Sequence, residues 1–236
     1  MRNIKITIEY DGTDFYGWQR QPSKRTVQGD IERVIRRITG EKTSVKGSGR
    51  TDAGVHAVGQ VANFFLEKDI RLERLMASMN SLLNNDIYIK FIESVPKDFD
   101  ARFSAISRTY RYYLFLGRSP IRRRYVWEFS HPLNLDIMIK STDMFRGEKD
   151  YTHLSTKDSG KCTVLRVDML KDNETVIIEI EANRFLRRMV RGIIGTLISL
   201  GTGKMKIEDL ALIFLGKIKR PGIAPPQGLF LYNVRY

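Results

Sequence analysis

The sequence places an Arg-x-Asp pair inside a glycine-rich segment. Residues 47–57 read GSGRTDAGVHA, with Arg50 two positions before Asp52 and three glycines around them. An ionised aspartate is a competent nucleophile or base, and an adjacent guanidinium favours its ionised form. Glycines on both sides allow the backbone to approach a ligand closely. The segment therefore predicts chemistry that uses one carboxylate and an arginine, without a metal.

Other interpretations of this segment remain open at this point. Glycines that flank an aspartate also form ordinary turns, because aspartate bonds nearby main-chain amides. A phosphate-binding loop is disfavoured, since residues 47–49 lack the lysine and the helix start of that pattern. Residues 201–204, GTGK, fail the same pattern, because Ile198 stands where it requires glycine and Met205 replaces Ser or Thr. Ordinary glycoside hydrolysis needs a second carboxylate, which the neighbouring sequence does not offer.

The charge balance favours a polyanionic partner. Forty Lys and Arg residues against 27 Asp and Glu give a net charge of +13, which most simply indicates nucleic acid. A basic surface without a partner and a membrane surface are the alternatives. No run of 18 apolar residues and no apolar signal core occur, so we expect no membrane span. Cys162 is the only cysteine, which rules out an internal disulfide and fits a cytoplasmic protein.

We expect no metal site. The three histidines lie far apart in the sequence, and with one cysteine they make a structural zinc site improbable.

Further arginines and aromatic residues lie in the second half of the chain. A helix is predicted from Arg184 to about Leu200, in which Arg184, Arg188 and Arg191 share one face. Arg187 flanks that face and is interpreted as solvated, whereas Arg191, followed by a glycine, is suited to reach into a cleft. Two further basic clusters are typical of phosphate contacts, Arg118 with Arg122, Arg123 and Arg124, and Lys217 with Lys219 and Arg220. In the predicted strand 108–116, Tyr110 and Tyr112 share a side, and one tyrosine could stack on a base.

The order of predicted elements indicates an α+β fold. The first hundred residues follow the order strand-helix-strand-strand-helix-strand, which is that of a ferredoxin-like unit. The second half repeats this order with insertions. We therefore predict two ferredoxin-like (RRM-like) halves, residues 1–103, which carry the Arg-x-Asp segment, and residues 104–236, which contain an insertion.

Five motifs, in this order along the chain, resemble those of the TruA family of tRNA pseudouridine synthases. They are YDGTDFYGWQRQP, GSGRTDAGVHAVGQVANF, RTYRYYL, ANRFLRRMVRGIIGTL and APPQGLFLYNV. The resemblance implies that the chain isomerises uridine to pseudouridine in tRNA with no cofactor and no metal. It also implies action in the anticodon stem-loop, at positions 38, 39 and/or 40, by a homodimer. The two halves would share a central, mostly antiparallel sheet with helices on one side and a cleft between the halves.

The resemblance also implies roles for four residues. Asp52 matches the catalytic aspartate, and Arg50 matches the arginine that helps to flip the target base. Tyr110 matches the tyrosine that stacks on the target uracil, and Arg191 matches the arginine that pairs with the aspartate. His56 lies in the same motif, but we interpret it as a structural histidine. Residues 118–153 lack an obvious signature, so details of substrate binding stay open.

Three rival functions remain. A non-catalytic RNA-binding module would share the basic charge but does not predict the Arg50-x-Asp52 segment, and the RRM-type string is absent. An N-glycosidase that uses one aspartate would release free uracil, whereas an isomerase would not. A synthase of the same family with another tRNA position or RNA target is the third.

Overall fold

The computed structural model describes all 236 residues, which form two compact units. Unit 1 contains residues 1–106 and 230–236, and unit 2 contains residues 107–229. The fold is mixed α+β and is built on mostly antiparallel sheet, as predicted. Residues 230–236, which sequence order placed in the second half, lie in unit 1. No helix has the length and apolar character needed to cross a membrane.

Unit 1 has the predicted ferredoxin-like element order. Its elements are β1 (Arg2–Tyr10), α1 (Val27–Thr39), β2 (Lys46–Gly47), β3 (His56–Leu66), α2 (Leu72–Leu82) and β4 (Ile87–Val95). Strand β1 lies between β4 and β3 and is antiparallel to both. The short β2 pairs with the other side of β3, antiparallel at Gly47 and Ala62. Closer to the start of β3, Phe230 of the last strand pairs with His56 in parallel.

The sequence of unit 1 explains these elements. Ile4, Ile6 and Ile8 alternate along β1 and are fully buried, as a strand with one face on a core requires. Helix α1 begins where the Thr26 side chain accepts a hydrogen bond from the amide of Gly29. It ends at Gly40, whose left-handed conformation (φ 82°) glycine adopts without strain.

Unit 2 contains more strands than the sequence predicted. Its elements are β5 (Ser107–Leu116), β6 (Trp127–Phe129), α3 (Leu135–Ser141), β7 (Gly147–Asp150), β8 (Lys161–Asp172), β9 (Thr175–Ala182), α4 (Met189–Gly201) and α5 (Asp209–Phe214). The last strand of the chain, β10 (Leu229–Arg235), belongs to unit 1 except for its first residue. Strands β5, β9, β8 and β7 are neighbours in that order and antiparallel, and β6 runs parallel to β5. Strands β6 and β7 are too short to give a periodic pattern, which explains why they were not predicted.

The predicted start of the late helix at Arg184 was wrong. Helix α4 begins at Met189, because Arg188 has a left-handed backbone (φ 60°). The preceding segment bonds to another loop instead: the Arg187 amide donates to Asp158, and the Arg187 carbonyl accepts from the Thr156 amide. Arg184 and Arg188 therefore do not share a helical face with Arg191. Arg187 is exposed, as the interpretation of a solvated side chain requires.

Two glycines of α4 allow the main chain of other segments to approach the helix. A Cβ added at Gly192 would overlap the carbonyl oxygen of Leu154, and one added at Gly195 would overlap that of Gly222. Backbone atoms cannot move aside as a flexible side-chain end can, so these positions exclude larger residues. The contact at Gly195 holds the segment that contains Ala224, which bonds to Arg191.

We expect Gly195→Ala to destabilise the protein by about 1–3 kcal/mol, because the added methyl displaces the main chain at Gly222. Gly222→Ala is the matched control, since a Cβ there meets nothing within 4 Å. Denaturant unfolding of both variants measures the difference. Equal stabilities would show that this contact does not constrain residue 195.

Candidate functional site

The Arg-x-Asp segment forms the loop between β2 and β3. Its first part is fixed by a buried polar network: the Ser48 amide donates to the Val61 carbonyl at 2.8 Å, and the Ser48 hydroxyl donates to Gln60 Oε1 at 2.8 Å. Gln60 in turn donates from Nε2 to the Gly49 carbonyl at 3.0 Å. Because Gln60 is fully buried and uses both ends of its amide, it holds the loop to β3.

Thr51 fixes the loop between Arg50 and Asp52. Its hydroxyl bonds to the Tyr10 hydroxyl at 2.7 Å, and its carbonyl accepts from the Trp18 amide at 3.1 Å. Burial raises the pKa of Tyr10 above its ordinary value, despite the hydrogen bond with Thr51, so the phenol stays neutral. Arg50 is exposed and Asp52 is half-buried. The buried Thr51 thus leaves its two charged neighbours on the accessible part of the loop.

Residues 12–18 lie directly against this loop. A Cβ at Gly12 would overlap the Val55 carbonyl oxygen, and one at Gly17 would lie 2.5 Å from the Thr51 carbonyl oxygen. Gly17 also has φ of +86°, which disfavours any side chain. The Gly54 amide donates to the Phe15 carbonyl at 3.4 Å. This DGTDFYGW motif had no role predicted from the sequence. Its two glycines were the signal that a second backbone approaches here.

His56 has structural contacts. Its Nδ1 accepts a hydrogen bond from the Gly12 amide at 3.0 Å, and its buried ring stacks on Phe230 at 4.6 Å. Asp11 Oδ1 also lies 3.1 Å from Nδ1. The Asp11 Oδ1 also accepts from the amide and hydroxyl of Thr13.

Two glycines at the start of the loop differ in what requires them. A Cβ at Gly47 would lie 2.6 Å from the Trp18 ring, so packing demands glycine there. A Cβ at Gly49 would meet nothing within 4 Å, and Gly49 has no positive φ. Neither packing nor backbone conformation explains Gly49, which directly precedes Arg50.

The other two predicted residues, Tyr110 and Arg191, lie in unit 2. Tyr110 is on β5, only 8% exposed, with its ring edge against Phe185 at 5.1 Å. Tyr112 is fully buried and Tyr113 is half-buried, which agrees with the predicted alternation along the strand.

Arg191 is clamped within unit 2. It is 8% exposed, and its Nε donates to the Ala224 carbonyl at 2.7 Å. The Ala224 amide donates back to the Arg191 carbonyl at 3.0 Å, and the Tyr112 hydroxyl donates to the Pro225 carbonyl at 3.0 Å. These bonds give the APPQG motif a role that sequence reasoning missed, which is to fix the guanidinium. Burial raises the pKa of Tyr112 above its ordinary value, and the nearby charge of Arg191 offsets only part of this rise.

Both predicted basic clusters lie largely at the surface. Residues 118 and 121–125 are exposed, and they include Arg118, Arg122, Arg123 and Arg124. Lys217 and Lys219 are exposed, and Arg220 is half-buried. No group of three or more His, Cys, Asp or Glu residues is arranged to hold a metal ion.

Comparison with known proteins identifies the family. A family model described as tRNA pseudouridine synthase matches residues 6–104 and 142–236. The chain belongs to the tRNA pseudouridine synthase family. This confirms the family predicted from the five motifs, a family of isomerases. Arg50, Asp52 and Arg191 lie inside the matched ranges, whereas Tyr110 lies outside them.

Individual members of the tRNA pseudouridine synthase family are similar to this chain over its whole length. Proteins named tRNA pseudouridine synthase A from Caldicellulosiruptor saccharolyticus and Caldicellulosiruptor bescii are 45% and 42% identical to it. One from a Thermoanaerobacter species is 40% identical. In each case the similarity covers 100% of both chains.

We expect Tyr10→Phe to destabilise unit 1 by about 1–3 kcal/mol, because it removes the buried partner of the Thr51 hydroxyl. Tyr88→Phe on β4 is the control, since Tyr88 is 56% exposed, and its effect should stay within about 0.5 kcal/mol. Denaturant unfolding measures both variants. A Tyr10→Phe protein as stable as the control variant would refute a structural role for this hydrogen bond.

Proposed function

We propose that the protein converts uridine to pseudouridine in the anticodon stem-loop of tRNA, at one or more of positions 38, 39 and 40. Asp52 is the catalytic residue of this proposal. The observation that carries it is the loop 48–55, in which a buried network holds Thr51 and leaves Arg50 and Asp52 accessible. The family of the chain, and the word tRNA in the names of its relatives, support tRNA as the substrate. The resemblance supports the stem-loop positions, a homodimer and a cytoplasmic location.

The proposed reaction needs no net supply of atoms or electrons. The bond from ribose C1′ to uracil N1 breaks, the uracil turns, and a new bond joins C1′ to C5. N1 gains a proton and C5 loses one, so the product is an isomer of the substrate. The detached base must stay captive until it rejoins the ribose, which requires a closed pocket.

Each site residue has a part in this reaction. The target uracil must first leave its stack, which costs a few kcal/mol, and the exposed Arg50 takes its place. Asp52 then acts as a nucleophile or a base on the released nucleotide. Tyr110 stacks on the uracil, as the resemblance implies. The resemblance implies that Arg191 keeps Asp52 ionised, and the bond of Arg191 to Ala224 fixes the guanidinium within unit 2.

Asp52→Asn tests the catalytic assignment. We expect the variant to fold and to bind tRNA, because the substitution conserves size, but to lose activity by at least about 100-fold. Tritium release from tRNA labelled at uridine C5 measures turnover, and filter binding measures affinity. Asp69→Asn, whose side chain is fully exposed at a distant turn, is the matched control and should remain active.

The outcomes separate the alternatives. Normal turnover by Asp52→Asn would exclude Asp52 as the catalytic residue, and failure to fold would favour the structural-turn interpretation. Release of free uracil by the wild-type protein would indicate a glycosidase. Salt-sensitive tRNA binding without any turnover would indicate an RNA-binding module.

We expect Gly49→Ala to raise the KM for tRNA about 5- to 100-fold, because the methyl group occupies space that the substrate needs beside Arg50. Stability should not fall, since the Cβ meets no protein atom and the backbone is unstrained. Steady-state kinetics and thermal unfolding check the two parts. An unchanged KM would show that no ligand approaches the loop at this point.

A further inference from the structure

Near the end of residues 1–106 of unit 1, the aromatic side chain of Phe103 lies in solvent. Phe103 is 80% exposed, and Ala101, two positions earlier, is completely buried. A single exposed apolar side chain is ordinary in itself. What distinguishes Phe103 is the rigidity of the turn that carries it, residues 100–104, which we call the Phe103 turn.

The Phe103 turn is closed by the side chains of its own ends. Asp100 Oδ1 accepts hydrogen bonds from the amides of Arg102 at 2.9 Å and Phe103 at 3.1 Å. The Ser104 amide donates to the Asp100 carbonyl, and the Asp100 amide donates to the Ser104 hydroxyl. Every main-chain donor from Asp100 to Ser104 other than that of Ala101 is therefore used inside the turn, which fixes its backbone.

Buried groups attach the turn to the sheet of unit 1. The Ala101 amide donates to Asn63 Oδ1 on β3 at 2.9 Å, and the Ala101 carbonyl accepts from the Tyr236 hydroxyl at 2.8 Å. Asn63 is itself held by Asn3 of β1 at 2.9 Å. The turn is thus anchored at its buried residue, and the two residues that follow project into solvent with little freedom to fold back.

The charges of the turn suit a polyanion. Burial raises the pKa of Asp100. The hydrogen bonds from the Arg102 and Phe103 amides and the Lys46 ammonium together outweigh this effect, so the pKa lies below its ordinary value. The Asp100 carboxylate is thus hydrogen-bonded to these two amides and ion-paired with Lys46 at 3.3 Å. Arg102 lies exposed at the tip, and its guanidinium carbon is 5.5 Å from the centre of the Phe103 ring.

An exposed aromatic ring beside a guanidinium has a defined chemistry. Proteins hold unstacked nucleotides by stacking bases on aromatic side chains and pairing phosphates with arginine. Preorganisation increases affinity, because a side chain that is already ordered loses less conformational entropy on binding. The tRNA of the proposed function contains single-stranded loops, whose unpaired bases such a ring can bind.

We propose that the Phe103 turn is a second tRNA contact, in which Phe103 stacks on an unpaired base and Arg102 binds an adjoining phosphate. This inference rests on the proposed function only for the identity of the RNA. Neither side chain takes part in the chemistry at Asp52. Phe103 acts through affinity and orientation of the tRNA.

The test measures tRNA binding and turnover separately. Binding of unmodified tRNA is measured in the Asp52→Asn background, which prevents conversion, and turnover is measured in the otherwise wild-type chain. We expect Phe103→Ala to weaken binding about 5- to 140-fold, given about 1–3 kcal/mol for one stacked base. Phe103→Trp should restore binding, because the indole ring also stacks. Thermal unfolding should not change, since the side chain contributes little buried area.

Two further variants sharpen the result. Arg102→Gln should reduce the slope of log K against log salt concentration by about one, the loss of one phosphate contact. Phe91→Ala is the matched control, because Phe91 on β4 is 57% exposed but is not held in such a turn. It should bind tRNA as the parent does.

The outcomes are distinguishable from those of the proposed function. If wild-type protein forms pseudouridine and Phe103→Ala binds tRNA normally, the Phe103 turn is not a tRNA contact. If the variant instead converts a dimer to a monomer in sedimentation, Phe103 belongs to a contact between copies of the chain, which also overturns the inference. If no pseudouridine forms but Phe103→Ala weakens binding and Phe103→Trp restores it, the contact stands and the proposed function fails.

Discussion

Thr51 is bonded through its hydroxyl to Tyr10 and through its carbonyl to the Trp18 amide, and it separates Arg50 from Asp52. A loop that carries an arginine and a carboxylate cannot position them by itself, because glycines give its backbone many alternatives. Here the alternatives are removed at the residue between the two charged side chains. The geometry of the loop therefore depends on strand β1, which ends at Tyr10, and on residues 12–18, which follow it.

The same device recurs in both units. Gly12 and Gly17 allow one backbone to approach the Asp52 loop, and Gly192 and Gly195 allow other segments to approach helix α4. In unit 1 the approaching segment bonds to the main chain at Thr51, directly before Asp52, and in unit 2 the segment that approaches Gly195 bonds to Arg191 through Ala224. Gly49 is different, because nothing in the protein occupies the space beside it. That contrast separates glycines that packing requires from one that packing does not require.

Much of unit 1 was predictable, because apolar and polar residues alternate along β1 and helix α1 has both a threonine N-cap and a glycine C-cap. The start of α4 could not be predicted from the sequence. Apolar residues continue at helical spacing through residues 186–190, although Arg188 adopts a left-handed backbone. The Arg50 and Asp52 loop could be identified from residue types alone. Its supports at Tyr10 and Gln60 could not, because they depend on pairing between strands far apart in sequence. The turn at Phe103 gave no signal of its own, since one phenylalanine looks like a core residue.

The most direct measurement maps pseudouridine at single-nucleotide resolution after purified protein has acted on unmodified tRNA. Chemical derivatisation of pseudouridine followed by primer extension gives the modified positions. The account predicts stops at one or more of positions 38, 39 and 40, without added metal or nucleotide. Pseudouridine confined to other positions, or none at all despite tRNA binding, would contradict it.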